Sequence, residues 1–196
     1  MTPSDPGRAG ALEVLRELAA EGGREAASTV GKLLGRSTRI GEVQVVEGPD
    51  PAGVIRLMGR PDLELVAVAM ELQDPVGGRL LILVSAEEAE RVSQTLVPDA
   101  AAGSLDTVGE SALVEAGNIA GSAFVSALAR RLHIRLMHGV PRLTRGGPRA
   151  CLDVLAPGAA GPALAVRFGC PEASGILLLL PDPARIDGLA GALEKP

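Results

Sequence analysis

The sequence predicts a layered α/β domain: a mainly antiparallel sheet with long exposed helices, built from two halves related by pseudo-twofold symmetry. Each half begins with a long helical stretch and continues with short apolar runs bounded by Gly and Pro, which are typical of buried strands. Within a half, these runs follow one another without helices between them, which favours antiparallel pairing over parallel crossovers. The same order of elements then recurs in the second half.

The elements are predicted in this order. The first half has helical stretches at 11–20 and 24–34, strands at 41–46, 54–58, 63–71 and 80–84, and a closing helix at 86–96. The second half has helical stretches at 106–118 and 120–132, strands at 134–140, 150–155, 163–168 and 176–180, and a closing helix at 183–193. A glycine-containing joint is expected between the two helical stretches of each half, because glycine weakens a helix.

The internal repeat rests on matched positions. Glu17 precedes Glu115 by 98 positions, and four further identities hold at the same separation. The strand segment 78–83 matches 175–180 at a separation of 97. We therefore predict a single domain over residues 10–196, with halves at about 10–98 and 99–196. The period is too long for a solenoid, so a two-lobed domain is favoured.

Composition narrows the class of protein. The chain has 196 residues, of which 46% are hydrophobic and 22% charged, enough for a buried core. The net charge of −5 and the aromatic content of 1% argue against nucleic-acid binding. Its longest apolar runs are too short to span a bilayer, and the polar N-terminus does not resemble a secretory signal. We expect a cytoplasmic protein that binds neither nucleic acid nor membrane.

The first helix of the second half carries a narrow polar stripe. At about 100° per residue, Ser111, Glu115, Asn118 and Ser122 fall on one side, and the residues between them are mostly apolar or small. Such a stripe is most often a solvated helix face. Here, however, it includes the only asparagine of the chain, in mid-helix, where Asn is a poor helix former. The two glycines flanking Asn118 suggest the close approach of another backbone or a protein partner.

These residues resemble a known signature. Ser111, Glu115 and Asn118, followed after 22 residues by Pro141, match the motif of the CheC/CheX/FliY family of chemotaxis phosphatases. The string Ala-Gly-Asn-Ile-Ala-Gly at 116–121 is similar to the family's Gly-Asn-Ile motif. The fixed spacing of four residue types makes a chance match improbable. The duplicated layout resembles CheC over residues 10–195.

The resemblance implies an enzyme, a phosphatase that hydrolyses the aspartyl phosphate of a CheY-type response regulator. Asn118 would orient the attacking water and Glu115 would dock on the receiver, with Ser111 and Pro141 in supporting positions. No cofactor or metal of the protein's own is implied, since Mg²⁺ would come from the partner receiver domain. The resemblance leaves open whether a CheD-like deamidase also binds and whether the chain forms a homodimer.

The first half departs from the motif. Glu13 and Glu17 hold the positions of Ser111 and Glu115, but Ala20 replaces the asparagine and Val43 replaces the proline. An alanine cannot orient water, so this half is expected to be catalytically inactive. The rival hypothesis for the whole chain is a non-catalytic module that binds receivers or belongs to the flagellar switch, as in FliM-like and FliY-like proteins.

Other candidates carry less chemistry. His133 and His138 match no metal-ligand spacing and are interpreted as ordinary surface or strand histidines. Cys151 and Cys170 are expected to be buried strand thiols rather than a disulfide. The arginines after Asn118 make that region basic, which indicates either a solvated surface or electrostatic steering toward an acidic receiver pocket. They are Arg130, Arg131, Arg135, Arg142, Arg145 and Arg149.

Overall fold

Helices cover both faces of one sheet in the computed structural model of this chain. The structure describes residues 6–47, 51–59, 63–98, 105–156, 161–170 and 173–185. The first half contains α1 (Pro6–Leu33), β1 (Arg39–Glu47), α2 (Pro51–Met58), β2 (Leu65–Glu71), β3 (Arg79–Ser85) and α3 (Ala86–Leu96). The second contains α4 (Thr107–Leu132), β4 (Arg142–Gly146), α5 (Pro148–Leu155), β5 (Pro162–Cys170) and β6 (Ala173–Leu180).

The sheet confirms the predicted antiparallel fold and its pseudo-twofold symmetry. Its strand order is β1-β5-β6-β3-β2-β4, and every neighbouring pair is antiparallel. The strands of the two halves correspond in pairs: β1 with β4, β2 with β5 and β3 with β6. When each strand is replaced by its counterpart, the strand order of the sheet is the same read in reverse. At the centre, Leu81 of β3 pairs with Leu178 of β6. These two residues are 97 positions apart, so the pseudo-twofold axis passes between them.

The sheet separates two apolar layers because alternate residues of a strand point to opposite faces. On one face, α1 and α4 pack against each other and over side chains such as Val68, Met70 and Leu177. On the other face, α2 and α5 cover Ala67, Leu81 and their neighbours. A smaller cluster joins α3 to the beginning of α4 through Ala89 and Leu113. The long helices α1 and α4 keep one side exposed, as predicted.

Helix α3 begins where the sequence predicts, because Ser85 caps it. The Ser85 hydroxyl accepts a hydrogen bond from the Glu88 N–H at 3.1 Å. The Glu88 carboxyl is partly buried, and its Oε2 has no hydrogen-bond partner. Burial raises the pKa of this carboxyl above its ordinary value, and the neighbouring Glu87 acts in the same direction, while Arg91 opposes the shift.

Two predicted strands are wrong. Segments 54–58 and 150–155 belong to the helices α2 and α5. Both begin with a proline in the first turn, where its missing N–H costs nothing. Their buried residues are spaced for a helix: Val54 and Leu57 in α2, and Cys151, Leu152 and Leu155 in α5. An apolar run of five or six residues does not by itself distinguish a strand from one turn and a half of helix.

The chain between α4 and β4 was also predicted wrongly. Of the segment 134–140, only His138 pairs with the sheet, in an isolated bridge to Leu72, and β4 begins at Arg142. The glycine-containing joints are absent, since α1 and α4 are each continuous helices. The predicted closing helix at 183–193 lies mostly outside the described residues, and Pro183 to Arg185 form a turn.

Cys151 is buried as expected, but it lies in α5 rather than in a strand. Burial raises the pKa of the Cys151 thiol, so the thiol stays protonated at neutral pH. The side chain of Cys170 lies outside the described residues.

Helix α4 is long and apolar enough that length and composition alone would fit a membrane span. Half of its apolar stretch is buried inside the protein. Its buried residues include Phe124 and Leu128, which belong to the core shared with α1 and the sheet. Helix α4 is therefore the core helix of this domain.

Candidate functional site

A single long helix carries the predicted site. Asp106 caps α4, its carboxylate accepting a hydrogen bond from the Gly109 N–H at 2.8 Å. Because one side of α4 packs on the sheet and on α1, the helix presents its other side to solvent at a fixed angle. The predicted stripe lies on that outer side: Ser111, Glu115 and Ser122 are exposed and Asn118 is half-buried.

Glu115 and Asn118 are one turn apart on this surface. Among the described residues, neither the Glu115 carboxylate nor the Asn118 amide has a hydrogen-bond or ion-pair partner in the structure. The Asn118 amide can donate and accept at once, whereas the ionised Glu115 carboxylate only accepts. Such a pair can hold a water molecule and a cationic group in fixed relative positions, and the rigid helix orders both side chains in advance.

Ser111 has a different local role. Its hydroxyl donates a hydrogen bond of 2.8 Å to the Thr107 carbonyl, one turn earlier in α4. A serine that bonds back to its own helix has its proton engaged, which leaves the hydroxyl oxygen as an acceptor.

The glycines beside Asn118 face the sheet, so of the two expected alternatives, another backbone or a protein partner, the structure favours the close approach of a neighbouring strand. A Cβ on Gly117 would lie 2.7 Å from Val68 Cγ1, and one on Gly121 would lie 2.6 Å from Met70 Cε. Both distances are far below van der Waals contact. At Gly117 the obstacle is the stiff, branched side chain of Val68, so glycine is required there for α4 to approach β2 this closely, whereas at Gly121 the obstacle is the flexible end of Met70.

His138, interpreted from the sequence as an ordinary surface or strand histidine, is in contact with this stripe. Its Nε2 lies 2.9 Å from the Ser122 hydroxyl oxygen, and its Nδ1 lies 2.9 Å from the Gly139 carbonyl oxygen. Since a carbonyl only accepts, Nδ1 carries the proton and donates to Gly139, and in the neutral ring Nε2 accepts from Ser122. No spacing rule links two residues 16 positions apart, so the sequence offered no signal for this contact.

Pro141 follows the same segment. The chain there is fastened to the end of β2 by two backbone hydrogen bonds: the Gly139 N–H donates to the Glu71 carbonyl at 2.8 Å, and the Gln73 N–H donates to the Met137 carbonyl at 2.9 Å. Pro141 is half-buried. Its link to the stripe runs through His138, three positions earlier, and proline itself has no N–H to donate.

The corresponding surface of the first half lies on α1. Glu13 and Glu17 are exposed there, and Ala20 is half-buried, like its counterpart Asn118. Val43 is a buried core residue of β1 rather than a loop residue like Pro141. This surface therefore has a counterpart of the Glu115 carboxylate but none of the Asn118 amide.

The basic residues after Asn118 divide into two groups. Three of them form ion pairs: Arg145 with Glu110 at 2.5 Å, Arg130 with Glu25 at 3.4 Å and Arg149 with Asp153 at 3.4 Å. The others are exposed and have no ion-pair partner among the described residues; they are Arg131, Arg135 and Arg142. These three are the ones available for electrostatic attraction of an acidic partner.

The two histidines do not lie in a metal cluster. His133 caps the C-terminus of α4 in the left-handed conformation, with a φ of 53°. In the described part of the chain, no group of three or more His, Cys, Asp or Glu residues is arranged to hold a metal ion.

Solved structures with the same fold come from chemotaxis and flagellar proteins. FliY of Thermotoga maritima superposes with a TM-score of 0.71 at 16% identity, covering 100% of this chain and 98% of its own. CheX in a complex with CheY, beryllofluoride and Mg²⁺ from Borrelia burgdorferi superposes with a TM-score of 0.59 at 20% identity, covering 83% of this chain and 97% of its own. FliM in a complex with SpeE from Helicobacter pylori gives 0.64 at 13% identity, covering 94% and 96%.

These likenesses confirm the resemblance at the level of the fold: the chain has the CheC-like fold shared by CheX, FliY and FliM. No family model matches the sequence, and no curated protein matches it. Because this fold occurs both in a receiver-bound CheX and in FliM, the side chains of this chain must support any choice of activity.

Proposed function

We propose that this protein is a phosphatase that hydrolyses the aspartyl phosphate of a CheY-type response regulator in chemotaxis or motility signalling, in the cytoplasm. The observation that carries the proposal is the pair Glu115 and Asn118, displayed one turn apart on the outer side of α4 without partners among the described residues. A surface that only binds has no need of an amide at this spacing. The CheX–CheY complex supports the choice of partner, since a protein of this fold binds a receiver there.

Hydrolysis of an aspartyl phosphate requires few chemical groups from this chain. Phosphoryl transfer to water depends chiefly on alignment and on stabilising charge, and no covalent step on the enzyme is needed. Asn118 enters the receiver's active site, and its amide positions the attacking water in line with the phosphorus–oxygen bond. Glu115 holds the complex together by pairing with a cationic side chain of the receiver.

The metal belongs to the partner in this proposal. The receiver supplies Mg²⁺, the phosphorylated aspartate and the positive charge that stabilises the departing carboxylate, and this chain supplies orientation. Activity should accordingly require Mg²⁺ and be indifferent to removal of transition metals. A stoichiometric transition metal in protein purified without chelator would contradict this assignment.

The first test is the decay of phosphorylated receiver with and without the protein. Each CheY-type receiver of the source organism is phosphorylated in turn, and phosphate release is followed at several protein concentrations. The wild-type protein should accelerate decay of at least one receiver. Asn118→Ala should slow that reaction by about tenfold to a thousandfold, as expected for loss of one aligning group.

The fold of Asn118→Ala should remain intact, because alanine favours a helix more than asparagine does. A circular dichroism melt checks this. If Asn118→Ala hydrolyses as fast as the wild type, Asn118 does not orient the water.

The second candidate is a non-catalytic receiver-binding or flagellar switch module. The observation that favours it is the extent of the likeness to FliY and FliM, which covers 94% or more of this chain. Under this hypothesis the wild-type protein binds a receiver loaded with beryllofluoride, a stable analogue of the phosphoryl group, yet leaves the decay of the phosphorylated receiver unchanged. The same two measurements therefore separate the candidates.

A further inference from the structure

The outer stripe of α4 is longer than the motif and ends in exposed apolar side chains. Val108 lies on the same side of the helix as Glu115, two turns earlier, and 54% of it is exposed. At the other end, Ser122 bonds to His138, whose neighbours Met137 and Val140 are 59% and 85% exposed. Glu115 lies midway, about 10 Å along the axis from each end at 1.5 Å per residue.

The end of the stripe that includes Met137 and Val140 is held in a fixed position. The backbone of 137–139 is paired with the end of β2, and the His138 ring ties the same segment to α4. Met137 and Val140 lie in the loop between α4 and β4. Contacts with β2 on one side and with α4 on the other hold this loop in place, while both side chains stay exposed to solvent. Leaving such side chains in water forgoes stabilisation that a partner surface would supply.

The charge around this end favours an acidic partner. Arg135 and Arg142, on either side of the segment, are exposed and have no ion-pair partner among the described residues. The aspartyl phosphate of the proposed partner is negatively charged, so exposed arginines beside the stripe would attract it. The stripe has apolar residues at each end, a carboxylate and an amide in the middle, and positive charge beside one end.

We propose that Met137 and Val140 form a second contact with the receiver and that His138, through Ser122, is the positioning residue that holds this contact in register with Asn118. This inference rests on the proposed function for the identity of the partner. It adds a docking surface outside the motif and assigns a role to the contact between Ser122 and His138.

A serine bonded to a histidine could also be an activated nucleophile, but the surroundings disfavour that role. The His138 Nδ1 is oriented by a backbone carbonyl rather than by a carboxylate. Ser122 lies within α4, where the nearby backbone N–H groups are used by the helix and cannot stabilise an oxyanion. Positioning is the role that this geometry supports.

The experiment measures two quantities: the dissociation constant for a CheY-type receiver loaded with Mg²⁺ and beryllofluoride, and the maximal decay rate of the phosphorylated receiver. Val140→Ser should weaken binding by about threefold to tenfold, the scale expected for one exposed valine that becomes buried on binding. The matched control is Val154→Ser on α5, which is 63% exposed on the opposite side of the sheet and should leave binding unchanged.

The positioning role is tested with Ser122→Ala and His138→Ala. Each should weaken binding by a similar factor without lowering the maximal rate, and the double variant should be no weaker than either single one, because both remove one contact. Ser122→Thr, which keeps the hydroxyl, should restore binding. His133→Asn is the control for a histidine outside the surface, since Asn tolerates the left-handed conformation.

The outcomes separate this inference from the proposed function. If the wild type binds a receiver but Val140→Ser and Ser122→Ala bind equally well, the docking surface is wrong and the proposed function stands. If both variants bind weakly and the wild type never accelerates decay, the surface is right and the phosphatase activity is wrong. If the wild type binds no receiver of the source organism, both are overturned.

Discussion

At the scale of single residues, the two halves of the chain provide a matched comparison. Glu115 and Glu17 are both exposed carboxylates on the outer sides of long helices. Three residues further on, Asn118 follows the first and Ala20 follows the second. The helices that carry the two glutamates are related by pseudo-symmetry. A difference between the effects of substituting Glu115 and Glu17 therefore reports on the amide and the partner, and not on the helix.

Glu115→Ala is therefore expected to act mainly through docking. It should raise the protein concentration needed for half-maximal decay of the phosphorylated receiver, by about tenfold for one charge-assisted contact of about 1.4 kcal/mol. Glu17→Ala should change neither this concentration nor the maximal rate, because Ala20 beside it cannot align water. If the two variants are equally damaging, the active surface has been assigned to the wrong half or to both.

A second residue, Glu88, makes a prediction about pH. Its raised pKa means that folding favours the protonated carboxyl, so its contribution to stability is present below the pKa of the unfolded chain. That contribution is lost as the pH rises through the pKa of the folded state. Glu88→Gln, which is neutral at every pH, should gain stability relative to the wild type as the pH rises from 4 to 7.5.

Urea melts of both proteins at these two pH values measure the difference, and the comparison cancels the titration of all other groups. A constant difference between wild type and Glu88→Gln at both pH values would show that burial does not disfavour the charged form at this position.

At the scale of elements, the packing of α4 depends on glycine. Gly117→Ala should lower the free energy of unfolding by about 1–3 kcal/mol, because the new methyl group overlaps Val68. Gly10→Ala in α1 is the control: nothing lies within 4 Å of its added Cβ, so it should raise the free energy of unfolding by up to about 1 kcal/mol. Denaturant titrations measure both, and equal stabilisation by the two substitutions would contradict the close packing of α4 on β2.

Some helices and strands could be predicted from the sequence, and others could not. Helix α3 has the bounds that the sequence predicts, and the structure shows that Ser85 caps its first turn. The strands β3 and β6 were found because continuous apolar runs between turns are typical of strands at the centre of a sheet. Segments 54–58 and 150–155 were assigned wrongly because their length fits either type of element, and only packing on the sheet decided for helix.

The candidate site divides in the same way. Ser111, Glu115 and Asn118 share a helix, so periodicity was enough to place them on one face. His138 joins that face through a hydrogen bond between distant parts of the chain, and no local sequence pattern predicts this bond. The glycines beside Asn118 left two alternatives open, another backbone or a partner, because the sequence shows that something comes close but not what it is; the structure decides for the sheet.

At the scale of the whole molecule, the two halves share one sheet by exchanging strands. The outer strand of the first half, β1, pairs with β5 of the second half, and β4 of the second half pairs with β2 of the first. Neither half can complete its own sheet. Fragments 1–98 and 99–196 should each lack a cooperative unfolding transition, and the two mixed in equal amounts should regain it.

Circular dichroism melts of each fragment and of the mixture provide the measurement. A fragment that unfolds cooperatively as a monomer would show that the half is an independent folding unit, which the exchanged strands contradict.

The same exchange has a consequence for biosynthesis. When the first half has left the ribosome, β3 and β2 still have no neighbours on their outer edges, since those places belong to β6 and β4. Synthesis of the remaining 98 residues takes about 5–20 s at ordinary translation rates. For that interval the nascent chain presents apolar strand residues, Leu80, Leu81 and Leu83 among them, on an open edge. Premature termination near residue 98 would make the exposure permanent, so truncated chains should be substrates for chaperones and proteases rather than smaller working proteins.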